Sequence, residues 1–269
     1  MNEPLAASHS TAMEFSTDEL TFFEQNGFAI ARGLCEESLR TELLQLTLDG
    51  LHRDLQPIEY EADVHYPGSP ESRTATGGRT ARRLKQAHSR GIAFTEWAMH
   101  PKVVGRLRQL LGPELVMPLA HHNCVMTKQP EFSSDTGWHQ DIRYWSFAER
   151  ELVSVWLALG AENAQNGCLQ VIPGSHRMLF DRERFDDDLF FRTDLPENQE
   201  LIRQKVMVEL NPGDVLFFHC RTFHAASRNH TSETKYSLVN TYRPEMNRPR
   251  PGTRSGTWPE LVIPSPGSP

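Results

Sequence analysis

The sequence predicts a mainly β domain of the α+β kind, a β-sandwich or jelly-roll barrel with helices on its outside. Two observations carry this. Helical periodicity is confined to the first 112 residues, and the rest breaks into short apolar runs divided by proline, glycine and asparagine: ELVMPLAHHNCVM, ELVSVWLALG, GCLQVIP, VMVEL, DVLFFHC and YSLVNTY. Helices followed by many short strands fit a sheet-on-sheet core with helices outside it. No second set of core-forming runs is present, so residues 1–269 are expected to form one domain.

The elements follow in order. Residues 1–14 read as a loose tail, and Ser16 with Glu19 has the form of a capping box that opens a helix through DELTFFEQNG, closed by Gly27. GFAIARGL reads as a strand, and EESLRTELLQLTLDGLHRDL spaces its leucines for a second amphipathic helix. Residues 56–80 have no sustained period and read as a long loop. PKVVGRLRQLLG forms a third helix ending at Gly112. Residues 178–204, with mixed charges and aromatics, read either as a cover over a site or as a solvated insertion. The last stretch, about 247–269, is too rich in proline and glycine to continue a sheet and is expected to be an extended or disordered tail.

A formal net charge of -7 argues against an electrostatic grip on nucleic acid or an anionic membrane, so a small-molecule substrate or a protein is the expected partner. No apolar stretch has the length of a membrane span, and the first residues lack a basic segment followed by an apolar run. The four cysteines, Cys35, Cys124, Cys168 and Cys220, form no CxxC pair and read as reduced core thiols. A cytoplasmic location is the expectation.

The sharpest chemical signal is GWHQDIRYW. His139 and Asp141 are two residues apart and share a face if the segment is extended. Two histidines and one carboxylate on one face of a divalent metal leave open positions, the arrangement of non-haem iron(II) oxygenases. The third ligand has two candidates in PGDVLFFHCRTFHAASRNH, His219 and His224, and spacing does not choose between them. Arg143 is two residues beyond Asp141 and is a candidate substrate contact with Tyr144, while Arg79, Arg82, Arg83 and Lys85 form a basic cluster that reads as a solvated face or as a contact for an anionic substrate.

WHQDxxYW, then VWLAL followed by NGCLQVIPGSHR, then GDVLFFHxxTxHxxxxNxT stand in the order found in the phytanoyl-CoA dioxygenase family of iron(II)/2-oxoglutarate oxygenases, which this sequence resembles from about Lys85 to Arg243. The resemblance implies a double-stranded β-helix, a jelly roll with Fe(II) held by His139, Asp141 and His224. It also implies 2-oxoglutarate as cosubstrate, O2 as oxidant, and hydroxylation of a small organic molecule with release of succinate and CO2. Because Asp141 is a carboxylate, no coordination position is freed for a halide.

Where the family usually has an arginine for the far carboxylate of 2-oxoglutarate, eleven residues after the distal histidine, this chain has Lys235. An ammonium neutralises a carboxylate but does not form the guanidinium fork. Lys85, Thr127 and Trp156 match further positions beside the cofactor. Arg243 follows on the same strand pattern but about 26 Å along at roughly 3.3 Å per residue, too far to replace Lys235. The Lys235 departure keeps open a metal-dependent oxygenase or hydrolase that does not use 2-oxoglutarate, and a non-catalytic metal-binding protein is the remaining alternative.

Overall fold

The computed structural model describes residues 12–265. All but the last three residues of the expected N-terminal tail lie outside that range. Ser16 Oγ accepts the Glu19 N–H (3.3 Å) and Glu19 Oε2 accepts the Ser16 N–H (2.8 Å), which starts α1 (Thr17–Asn26) with two otherwise orphaned donors satisfied. Gly27, at φ 80°, ends the helix in the left-handed region. β1 (Phe28–Ala31) and α2 (Glu37–His52) then follow as the periodicity predicts.

The stretch expected as a loop contains β2 (Ile58–Tyr60), which pairs with β3 (Ala81–Lys85). α3 (Ile92–Ala98) was not foreseen, whereas α4 (Pro101–Leu111) has its proline in the first turn and Gly112 at its end. The remaining elements are β4 (Leu115–Pro118), β5 (Asn123–Lys128), β6 (Thr136–His139), β7 (Val153–Ala158), β8 (Leu169–Val171), α5 (Pro196–Ile202), β9 (Val206–Val208), β10 (Val215–His219), β11 (His224–Ala226), β12 (Lys235–Pro244), α6 (Arg254–Thr257) and β13 (Glu260–Ile263).

The strands make two antiparallel sheets, as a jelly roll requires. The larger runs β1-β10-β7-β12-β5-β3-β2, with β4 beside the end of β12, and the smaller runs β6-β11-β8-β9. Alternation decides what each face meets. On β10, Val215 and Phe217 join the core under the helices with Phe15, Trp97 and Leu107, while Leu216 and Phe218 join the core between the sheets with Trp156, Val171 and Val239. Full burial of each such side chain stabilises by about 1.5–3 kcal/mol.

The C-terminal expectation is corrected. Residues 247–265 are not a tail: Asn247 and Ser255 are buried, and β13 pairs with β4 from Glu260↔Pro118 to Ile263↔Leu115. Proline and glycine end strands, but the four residues ELVI lie between them, and β4 offers an open edge that they complete. Residues 178–204 are tied down rather than purely solvated. Phe180, Phe185 and Phe191 pack around Phe223, and the Phe191 N–H donates to the Trp138 carbonyl (2.7 Å).

Candidate active site

β6 stops at His139, and Asp141–Tyr144 is one turn of 3-10 helix, so strand alternation is not what brings His139 and Asp141 together. The turn does, anchored by the Ile142 N–H on the Cys220 carbonyl (3.1 Å). His224 opens β11 directly opposite His139 in the antiparallel register, with ring centroids 4.2 Å apart. Asp141 Oδ1 lies 3.5 Å from His224 Nε2 and 3.9 Å from His139 Nε2. All three side chains are buried, and their ligand atoms lie within 4.8 Å of one another.

Each imidazole is locked by the backbone two residues before it. His139 Nδ1 is 2.8 Å from the Gly137 carbonyl and His224 Nδ1 is 3.0 Å from the Thr222 carbonyl, which requires the proton on Nδ1 and leaves the Nε2 lone pair facing the centre. Burial, then the neighbouring His224, holds the His139 imidazole far below its ordinary titration range, in the neutral form that ligates a metal. Burial alone raises the pKa of the Asp141 carboxyl, but the nearby imidazoles of His122, His224 and His139 outweigh it and keep the group ionised. Asp141 Oδ2 accepts from Ser154 Oγ at 3.3 Å. Two oriented imidazoles and one oriented carboxylate fit Fe(II) with positions to spare.

His219, the last residue of β10, points elsewhere, with Nε2 3.2 Å from Glu151 Oε2 and Nδ1 accepting the Arg221 N–H. His122, without any sequence signal, sits with Nδ1 3.4 Å from Asp141 Oδ2, and burial first of all pushes its pKa down to about 4.

The triad lies where two cavities meet. An outer one of about 360 Å³ has His139 and Asp141 in its wall with Arg83, Lys85, Arg143 and Arg254. A narrower inner one is lined by His139 and His224 together with Arg82, Lys128, Trp156 and Lys235. Arg143 and Tyr144 thus reach the outer cavity as expected, although by the turn rather than by alternation. The Arg143 guanidinium lies over the Phe190 ring at 3.9 Å, and that ring in turn packs edge-on to His139. The segment 178–204 therefore does cover part of the site.

Thr127, Trp156 and Lys235 line the inner cavity, but each is already engaged. The Thr127 hydroxyl donates to the Ala81 carbonyl, and Trp156 Nε1 donates to Glu162 Oε1 (2.9 Å). Lys235 Nζ is 3.0 Å from Glu162 Oε2, a buried ion pair completed by Ser237. Lys85 does not join them. It ends β3 on the outer side with Nζ 3.1 Å from Glu59 Oε2. The basic cluster divides: Arg79 and Lys85 are exposed, as a solvated face requires, whereas Arg82 is buried between Glu61, Ser134 and Thr136. Arg243 is held by Glu260 at the other end of β12.

Lys128, Glu162 and Arg254 are the residues that reasoning from sequence missed. A signal existed for Lys128, which shares the interior face of β5 with Cys124 and Met126. None existed for Glu162.

Residues 23–237 match the family model described as phytanoyl-CoA dioxygenase (PhyH). The chain belongs to the phytanoyl-CoA dioxygenase family. Membership makes it a non-haem iron, 2-oxoglutarate-dependent dioxygenase. Among its relatives, a probable phytanoyl-CoA dioxygenase of Caenorhabditis elegans is 23% identical over 80% of this chain and 71% of that protein. The ectoine dioxygenase of Halomonas elongata is 25% identical over 91% of this chain and 75% of its own length. The match to the peroxisomal phytanoyl-CoA dioxygenase of Rattus norvegicus, at 22% identity, spans 64% of that enzyme and 80% of this chain. In fold the chain is similar to EctD from S. alaskensis, solved with 2-oxoglutarate and 5-hydroxyectoine, at a TM-score of 0.72 with 18% identity, covering 96% and 90% of the two chains. It is also similar to the epimerase SnoN in complex with Fe3+, alpha ketoglutarate and nogalamycin RO, at 0.70 with 21% identity over 87% and 85%. No helix among the described residues of this family member is long and apolar enough to cross a membrane.

Proposed function

We propose that the enzyme hydroxylates a small anionic organic molecule, with Fe(II) held by His139, Asp141 and His224, 2-oxoglutarate in the inner cavity and the substrate in the outer one. The observation that carries the reading is the position of the triad at the junction of two cavities with cationic walls. Bound iron and 2-oxoglutarate supply the oxidising power, coupling loss of CO2 from the cosubstrate to reduction of O2 and insertion of one oxygen atom into a C–H bond.

The chain's own residues do the rest. The two backbone-locked imidazoles aim their Nε2 atoms, and Ser154 turns the Asp141 carboxylate so that Oδ1 faces the centre. Phe190 covers His139 and excludes water from one side. Arg143 and Arg254 meet no carboxylate within ion-pair distance among the described residues; Arg143 has only the Asp188 carbonyl and Tyr66 hydroxyl, and Arg254 the Ala120 carbonyl. Two arginines free to pair beside the metal support a carboxylate or phosphate on the substrate. Four buried, unpaired cysteines support a cytoplasmic setting. The acidic charge supports neither nucleic acid nor membrane as a partner.

The test is iron-dependent succinate release, screened with small carboxylates and phosphate monoesters against their amides and alcohols. Stimulation by the anions and not by the neutral analogues is the expected result. Equal stimulation by both kinds rejects the anionic substrate, and unchanged release in Asp141→Ala rejects the site.

A further inference from the structure

Charge is unevenly balanced in the inner cavity. Arg82 has Glu61 at 3.3 Å and Lys235 has Glu162 at 3.0 Å, so both of these cations are neutralised by buried carboxylates. Lys128 has none. It stands opposite Lys235 in the β5–β12 register, both side chains on the interior face, and it is 8% exposed. The acceptor its ammonium meets among the described residues is the Ser134 carbonyl at 2.8 Å, which leaves two of its three donors without a protein partner. A buried charge without a counter-charge is costly and calls for an anion.

The neighbourhood is also shaped around this side chain. Gly167 of the NGC motif, at φ 77°, lies under it, and a Cβ there would come within 2.8 Å of Lys128 Cδ and 2.3 Å of the Ser227 carbonyl. Asn229 holds the strand end by donating to the Lys128 carbonyl at 2.8 Å. The electrostatic surroundings agree: burial, then Arg82 and Lys235, pulls the Lys128 pKa down to about 7, with Glu61 and Asp135 offsetting only part.

We infer that Lys128, and not Lys235, is the residue that receives the far carboxylate of the 2-oxo acid cosubstrate in this chain. Lys235 and Glu162 form a neutral pair that shapes the wall with Trp156. The inference rests on the proposed use of 2-oxoglutarate. It explains how lysine stands where an arginine anchor is expected: the positive charge that counts has moved across the strand pair.

The experiment is anaerobic titration of the Fe(II)-loaded protein, read by the visible charge-transfer band of the chelated 2-oxo acid, with 2-oxoglutarate and with 2-oxobutyrate, which lacks the far carboxylate. In Lys128→Met the dissociation constant for 2-oxoglutarate is expected to rise at least about thirtyfold, the scale of a lost charge-assisted contact, while that for 2-oxobutyrate stays put. Removal of the other pair as a neutral unit, in the double variant Lys235→Met with Glu162→Gln, is expected to leave the preference for 2-oxoglutarate within about threefold of wild type, since no net charge is lost. If Lys128→Met fails to fold, the double variant alone decides. Retained preference supports Lys128, and a collapsed preference returns the anchor to Lys235 and overturns the inference. Equal loss of both 2-oxo acids in a folded Lys128→Met also overturns it. A wild type that binds iron yet gives no band with either 2-oxo acid removes the 2-oxoglutarate reading itself, and the inference with it.

Discussion

The two cavities that meet at His139 are both lined with cations, yet they are built differently. In the outer one, Arg143 reaches across exposed surface to Tyr66 and the Asp188 carbonyl, and Lys85 is about half exposed. In the inner one, Arg82, Lys128 and Lys235 are buried, and two of the three are matched by carboxylates that are themselves fully buried. Water screens the first set far more than the second, whose members are nearly fully buried. The same residue types thus do different things. Arg143 can change without disturbing the fold and so can follow the substrate, whereas Arg82 and Lys235 are each coupled to a buried carboxylate and through it to stability.

The largest expected effect breaks the junction itself. Asp141→Ala should lower Fe(II) affinity by more than ~100-fold, since loss of mere supporting contacts to a metal ligand already costs 10–100-fold, and should leave the melting temperature of the metal-free protein close to wild type. An iron titration with a thermal melt on the same samples checks both.

Next comes the inner pair. Lys235→Met alone strands the Glu162 carboxylate and should cost about 3–5 kcal/mol, while adding Glu162→Gln should recover most of that. Denaturant unfolding of the two variants measures the difference. If the single variant is no less stable than the double, the inner charges are not coupled as described.

A separate effect concerns pH. Because the folded-state pKa of Lys128 is pulled down to about 7 from 10.5, the unfolded chain holds the extra proton between those values and stability should rise with pH across that window. The gain, measured without cosubstrate, should be absent in Lys128→Met. A pH series of unfolding curves checks the sign, and a fall in stability over the same range attributable to Lys128 contradicts it.

The smallest effect on stability belongs to the outer cavity, where Arg143→Ala should move unfolding by roughly 0.5 kcal/mol or less while weakening an anionic substrate about tenfold. Melting curves and the apparent KM of the succinate assay separate the two.

Much of this molecule was legible before folding. The capping box at Ser16, the glycine stop at Gly27, the period-2 strands and the ordered motifs around His139, Asp141 and His224 are local signals, set by backbone sterics and by what a metal accepts. The choice between His219 and His224 needed either the family's order of motifs or the β6–β11 register, because both histidines lie within one short stretch of sequence and only the second opens the strand opposite His139. Only the tertiary structure decided that Asp141 arrives by a turn, that ELVI near the C-terminus closes an edge on β4, and that Lys235 is neutralised by Glu162 across 73 positions of sequence while Lys128 is not. A ligand's identity is written in side-chain chemistry, but a charge's partner is fixed by which strands lie side by side, and Coulomb's law acts through space with no memory of chain order.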